Sequence, residues 1–163
     1  MTEAPRRASS IDRVRDYLAT HGLADRVVTL EGSTKTAQLA ADAVGCELGQ
    51  IVKSLVFADD EGRPVLALVA GDRRGDAAAI AAEVGAHTVS FADADTVRAA
   101  TGYAIGGVSP FDLPEDLPVL VDDSLGRFAE VYTAGGTPNS MVLLTIDQLL
   151  TVSGGHMAQV SQP

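Results

Sequence analysis

Lysine is almost missing from this chain of 163 residues, occurring only at Lys35 and Lys53. Tryptophan is absent and aromatics make up only 4% of the residues, so the core must be built from Ala, Val, Leu and Ile. Cys46 is the single cysteine, which excludes an intrachain disulfide and makes a reducing cytoplasm the simplest compartment. No apolar stretch approaches the ~18 residues a bilayer span needs, so neither a transmembrane helix nor a membrane partner is expected. No apolar segment follows Met1-Thr2-Glu3-Ala4-Pro5-Arg6-Arg7, so no signal peptide is expected. His21, His87 and His156 have no metal-ligand spacing among themselves or with Cys46, and neither metal nor cofactor is expected. Walker A, Rossmann and G-x-S-x-G patterns are also missing. The net charge of -10 excludes general affinity for nucleic acid, while leaving room for a local contact with one phosphate.

Against that scarcity, the position of Lys53 stands out. It lies inside the apolar run Ile51-Val52-Lys53-Ser54-Leu55-Val56-Phe57, which reads as a strand ended by the turn Asp59-Asp60-Glu61-Gly62. Strand alternation puts Ile51, Lys53, Leu55 and Phe57 on one face. An ammonium there is costly unless an anion meets it. Either a carboxylate such as Asp122 or Asp123 neutralises it, or it waits for an anionic ligand.

The length fits one domain, read as a tail at 1–8, a domain at 9–154 and a C-terminal tail at 155–163, with the end frayed from 154. Ser9 or Ser10 opens a helix running to His21 and stopped by Gly22. A short strand, 27–30, follows. Ser33 or Thr34 opens a second helix that turns Leu39, Ala40 and Val44 inward. The Lys53 strand pairs with the run at 64–70 as an antiparallel hairpin. Asp76 opens an alanine-rich helix, 88–91 is an edge strand, and Asp93 or Asp95 opens a helix stopped by Gly102. Residues 102–118 are a loop. Strands follow at 119–121, 130–134 and 141–144, and Thr145-Ile146-Asp147-Gln148 has the form of a capping box for a last helix. The mixture without regular alternation predicts an α/β or α+β domain with a mixed, curved sheet.

Two glycine-bearing segments complete the candidate chemistry. In Thr101-Gly102-Tyr103-Ala104-Ile105-Gly106-Gly107-Val108-Ser109-Pro110-Phe111, Gly106 and Gly107 permit backbone torsions and close approaches that a side chain would block. Pro110 holds Ser109 extended. Such a loop can aim backbone groups at a ligand; on spacing alone, a tight turn is the more economical reading. Gly135-Gly136-Thr137-Pro138 reads as a hairpin loop. Ser33, Thr34 and Thr36 read as helix-capping hydroxyls beside which an anion could sit.

Taken in order, the lysine strand, residues 101–110 and Val131-Tyr132-Thr133-Ala134-Gly135-Gly136 resemble the YbaK/prolyl-tRNA synthetase editing-domain family, over residues 23–154. The resemblance implies a curved, partly barrel-like mixed sheet with flanking helices. It implies a free-standing, trans-acting hydrolase of the ester in mischarged aminoacyl-tRNA, with Cys- or Ala-tRNA(Pro) as the first candidates. It places Lys53, Gly106, Gly107 and Ser109 at the catalytic centre. Around the substrate it places Thr34, Thr36, Tyr103, Ile105, Val108, Pro110, Asp123, Gly135, Gly136 and Thr137. Lys53 would hold a phosphate or ribose oxygen of the tRNA acceptor end, and the 106–110 backbone would bracket the aminoacyl group.

Three departures qualify the resemblance. Asp112 stands where many members carry glycine, which would change the loop end and the pocket. The acidic stretch at 113–118 would weaken direct tRNA affinity, so that prolyl-tRNA synthetase or an elongation factor presents the substrate. Thr137-Pro138-Asn139-Ser140 occupies a variable stretch that leaves selectivity open. The competing reading is a non-catalytic module that binds tRNA ends, nucleotides or a synthetase.

Overall fold

The paired apolar runs at the middle of the chain organise the fold. The computed structural model describes residues 10–32 and 36–163; the tail expected at 1–8, and Ser33, Thr34 and Lys35, lie outside the described residues. The elements are α1 (Ser10–Ala19), β1 (Val27–Thr29), α2 (Ala37–Val44), β2 (Val52–Asp59), β3 (Pro64–Ala70), β4 (Arg74–Gly75), α3 (Ala77–Val84), β5 (Val89–Phe91), α4 (Ala94–Thr101), β6 (Val119–Asp122), β7 (Glu130–Ala134), β8 (Ser140–Thr145), α5 (Ile146–Ser153), β9 (His156–Ala158) and β10 (Ser161–Gln162).

A five-stranded sheet runs β5-β2-β3-β6-β9, with a three-stranded sheet β1-β8-β7 and a small pair β10-β4. β2 and β3 form the expected antiparallel hairpin, and β5 is an edge strand as read. β6 runs parallel to both β3 and β9, which makes the sheet mixed. A bridge between Ile51 and Tyr132 joins the start of β2 to β7, so the two larger sheets curve around one core. β3 is buried over residues 65–70, with Leu66 and Leu68 facing one side and Val65, Ala67 and Val69 the other. Complete burial of such a Leu or Val contributes about 1.5–3 kcal/mol, which makes this strand the main hydrophobic anchor. No helix among the described residues is long and apolar enough to cross a membrane.

The caps follow from the sequence. Asp76, Asp93 and Thr145 each accept a backbone N–H at the start of α3, α4 and α5, and Thr145 with Gln148 completes the capping box.

Two expectations need correcting. Thr36 caps α2, and this phase turns Ala37, Ala40, Ala41 and Val44 inward while Leu39 is 47% exposed. The C-terminus does not fray from 154. β9 pairs with β6, β10 pairs with β4, and Val160 is fully buried. Segments this short show no periodicity of their own; they become strands because open sheet edges accept them.

Candidate active site

The site begins at an unpaired strand edge. In an antiparallel ladder, successive residues send their backbone groups to opposite edges. The Ile51 carbonyl accepts from Gly71, so Ile51, Lys53 and Leu55 direct their groups to β3 and Ser54 directs its own outward. β5 covers that outward edge at Phe57–Asp59, and Ala92 just after it reaches the Val56 carbonyl, which leaves Ser54 uncovered by β5. A cavity of about 330 Å³ lies against the uncovered stretch. Thr36, Ala37 and Ala40 of α2 form one wall, and Gly106 and Val108 form another, with Ala134 and Met141 from the ends of β7 and β8. Val52, Lys53, Ser54 and Leu55 line it from β2. Small side chains dominate, so volume is left for a small group.

Lys53 Nζ donates to the Arg73 carbonyl, in the turn after β3. Burial pushes the lysine pKa down, and the charge of Asp72 partly opposes this. Asp72 itself is clasped by Arg127 at 2.8 and 3.0 Å. Among the described residues no carboxylate lies within ion-pairing distance of Lys53. The reading in which Asp122 neutralises Lys53 is overturned, because Asp122 accepts from Ser124, Val160 and Ser161 instead. Asp123 begins the 3-10 turn after β6 and is exposed, away from the cavity lining.

The glycine loop is a turn and a cavity wall at once. The Gly107 N–H donates to the Ala104 carbonyl at 2.9 Å, and Gly106 sits at φ 84. That is the third position of a type II turn, where glycine is favoured because φ is positive. Nothing lies within 4 Å of a Cβ added at Gly106, so conformation rather than crowding calls for glycine there. The turn consumes the Gly107 N–H, and Gly106 and Val108 are the loop residues that reach the cavity.

Ser109 is fully buried, and its hydroxyl donates to the Ala134 carbonyl at 2.6 Å. It ties the loop to β7 and does not face the cavity. Ser109→Ala should therefore destabilise the fold by about 1 kcal/mol through the lost bond, measured by urea unfolding, while leaving a groove of the same lining.

Tyr103 belongs to the core: it is 1% exposed and its hydroxyl donates to the Phe111 carbonyl at 2.7 Å. Burial pushes its pKa up to about 12. Ile105 is 61% exposed at the turn's outer corner, and Pro110 is buried beneath the loop. Gly135, Gly136 and Thr137 form the β7–β8 turn. A Cβ on Gly135 would lie 2.6 Å from Ser140 Oγ, and one on Gly136 would lie 2.7 Å from the Ser10 carbonyl oxygen. Thr137 Oγ1 bonds within the same turn, to Asn139 and Ser140. Of the sequence-selected residues the cavity gathers Thr36, Lys53, Gly106 and Val108; Thr34 lies outside the described residues. Sequence reasoning missed Ser54, Ala37, Ala40, Ala134 and Met141. Ser54 carried a signal in its place beside Lys53, and Ala134 in the 131–136 segment that bears the resemblance.

The family model for the aminoacyl-tRNA editing domain matches residues 31–152. Over 154 residues the chain is 31% identical to the multifunctional Ser/Thr-tRNA deacylase ProXp-y of Escherichia coli (strain K12), covering 91% of this chain and 92% of that protein. It is 34% identical over 140 residues to YwhH, an uncharacterized protein of Bacillus subtilis (strain 168), covering 86% and 88%. A crystal structure described as a candidate trans-editing enzyme for prolyl tRNA synthetase superimposes with a TM-score of 0.85 at 40% identity, covering 99% of this chain and 100% of that one. A match over most of the chain, joined to the same fold around the cavity, makes this protein a member of the aminoacyl-tRNA editing domain family.

Proposed function

We propose that this protein is a trans-acting deacylase that hydrolyses the ester of mischarged tRNA carrying a small amino acid. Cys- and Ala-tRNA(Pro) are the first candidates, with Ser- and Thr-tRNA beside them because of the ProXp-y relative. The observation that carries the proposal is one cavity lined by both Lys53 and Gly106, with the Lys53 ammonium outside any ion pair among the described residues. A phosphate or ribose oxygen of the terminal adenosine joins the Arg73 carbonyl around the ammonium, and the phosphate would supply the anion that Lys53 lacks among the described residues.

In this reading Lys53 anchors the nucleotide and does not act as a base, because a phosphate beside it favours the charged form. The aminoacyl carbonyl sits against the 106–108 wall, where a backbone N–H stabilises the developing oxyanion. Gly107 spends its N–H on the turn, which leaves Gly106 and Val108 as donors. Water adds to the carbonyl carbon. The tetrahedral intermediate then collapses with cleavage of the bond to the ribose oxygen, which takes up the proton that water loses. Activated esters need little more than this positioning. In a chain with net charge -10, delivery by prolyl-tRNA synthetase or an elongation factor supplies the affinity that the surface does not.

The test is hydrolysis of Cys-, Ala-, Ser- and Thr-charged tRNA, each with and without prolyl-tRNA synthetase. Turnover of at least one ester well above the buffer rate is expected. No turnover of any ester would sink the proposal, and tight binding of an uncleavable aminoacyl-adenosine analogue in that case would identify a binding module.

A further inference from the structure

We propose that Arg13 of α1 is a positioning residue for the 106–108 wall of the cavity, acting by clamping both ends of the loop that carries it. The inference rests on the deacylase reading above. Arg13 lies outside the 31–152 segment that the family model matches.

One guanidinium meets the loop at several points. Arg13 Nε donates to Asp112 Oδ2 at 2.9 Å, and its terminal nitrogen donates to the backbone carbonyls of Thr101, at 3.1 Å, and Asp112. Thr101 ends α4 and Asp112 closes the loop, so the fork holds entry and exit together. The same guanidinium lies 4.2 Å above the Tyr103 ring, within cation–π range. Gly102 leaves room for it: a Cβ there would stand 2.6 Å from an Arg13 nitrogen.

This contact explains Asp112. The residue has φ 55, the sole non-glycine with positive φ among the described residues. Aspartate tolerates that region better than most side chains, and here its carboxylate also meets Arg13. The expectation that Asp112 alters the pocket is corrected, since its side chain faces α1 and is absent from the cavity lining. The helix braces the second glycine turn as well, with Ser10 packed against Gly136. Ser109 links the two loops through Ala134. The wall facing Lys53 is therefore held from behind by α1. A lysine at position 13 could not replace the fork, because its ammonium is a compact point charge and cannot span planar acceptors in the same way.

The test compares Arg13→Ala, Arg13→Lys and Asp112→Asn in the full chain. Each is assayed for kcat and KM on whichever ester the wild type turns over, and for amide hydrogen exchange. Arg13→Ala should lower kcat about tenfold or more, because small displacements of positioning groups cost large factors, with KM changed less than about threefold. Arg13→Lys should recover little of this, and Asp112→Asn, which keeps the backbone acceptors, should lose much less. In Arg13→Ala the Gly107 amide, which is bonded to the Ala104 carbonyl, should exchange faster while β3 amides do not. Unchanged kcat in Arg13→Ala, or faster exchange spread equally over β3, would overturn the proposal. If the wild type hydrolyses no ester, the deacylase reading fails by itself. The clamp is then decided by Gly107 exchange and by affinity for the aminoacyl-adenosine analogue, and no change in either overturns it.

Discussion

Lys53→Ala should lower kcat/KM for deacylation by about 10- to 100-fold while the protein stays folded. A hydrogen bond to a charged group contributes about 1.5–3 kcal/mol, and each 1.36 kcal/mol is a factor of ten in rate. Stability should barely move, because the lost Nζ bond to the Arg73 carbonyl is offset by no longer holding a partly desolvated ammonium. If Lys53 meets phosphate, the slope of log affinity against log salt should also fall by about 1 in the variant. The pH dependence has a definite sign. Burial lowers the lysine pKa, so as pH rises the ammonium is lost earlier than that of an ordinary lysine. Binding of an uncleavable analogue should weaken along that alkaline limb in the wild type and lose this dependence in Lys53→Ala. The analogue avoids the spontaneous hydrolysis of esters at high pH. Full activity of Lys53→Ala in single-turnover assays would remove Lys53 from the site.

The lysine strand was legible because its neighbours declare it. Val52 and Val56 face one core and Leu55 and Phe57 the other, so the alternation that puts Lys53 beside Leu55 and Phe57 is local. The caps at Asp76, Asp93 and Thr145 were equally local, each a side chain bonding the backbone three residues on. At the start of α2, several hydroxyls stood within a few residues, and sequence alone did not select Thr36. Within the 102–112 loop, spacing identified a turn but could not separate cavity-facing Gly106 from buried Ser109. That distinction depends on the Ala134 carbonyl, which β7 brings from 25 positions away. Arg13 was invisible for the same reason, since Asp112 lies 99 positions beyond it. The deepest of these long-range dependences concerns a residue selected as a possible partner for Lys53.

Asp122→Ala should be the most destabilising single change, costing about 3 kcal/mol or more. The side chain ends β6 at 1% exposure. Its Oδ1 accepts from the Val160 N–H at 2.8 Å, and its Oδ2 accepts from Ser161 Oγ at 2.7 Å and from the Ser124 N–H and hydroxyl. Removing the carboxylate strands the buried Val160 N–H, at about 1–3 kcal/mol for a buried donor left unpaired, and takes the acceptor from three part-buried donors of Ser124 and Ser161 as well. Burial alone would raise its pKa, but the bonds from Ser124, Ser161 and Val160 outweigh it and hold the carboxyl below its ordinary value. With the folded pKa below the unfolded one, the stabilisation is complete above the unfolded value and is lost as pH falls through the folded one. The gap between wild type and Asp122→Asn in urea titrations should therefore be widest near neutrality and narrow in acid. The same anion reaches toward the cavity. Ser161 Oγ accepts from Arg73 Nε at 2.6 Å, and the Arg73 carbonyl receives Lys53. Loss of Asp122 should thus lower deacylation even at temperatures where the variant remains folded. Ser161→Ala, which removes the hydroxyl's bonds to Arg73 Nε and Asp122 but keeps the Ser161 carbonyl that also accepts from Arg73, should show a smaller loss in the same direction. A wild-type melting profile for Asp122→Ala would mean that the C-terminal strands are held by β-pairing alone.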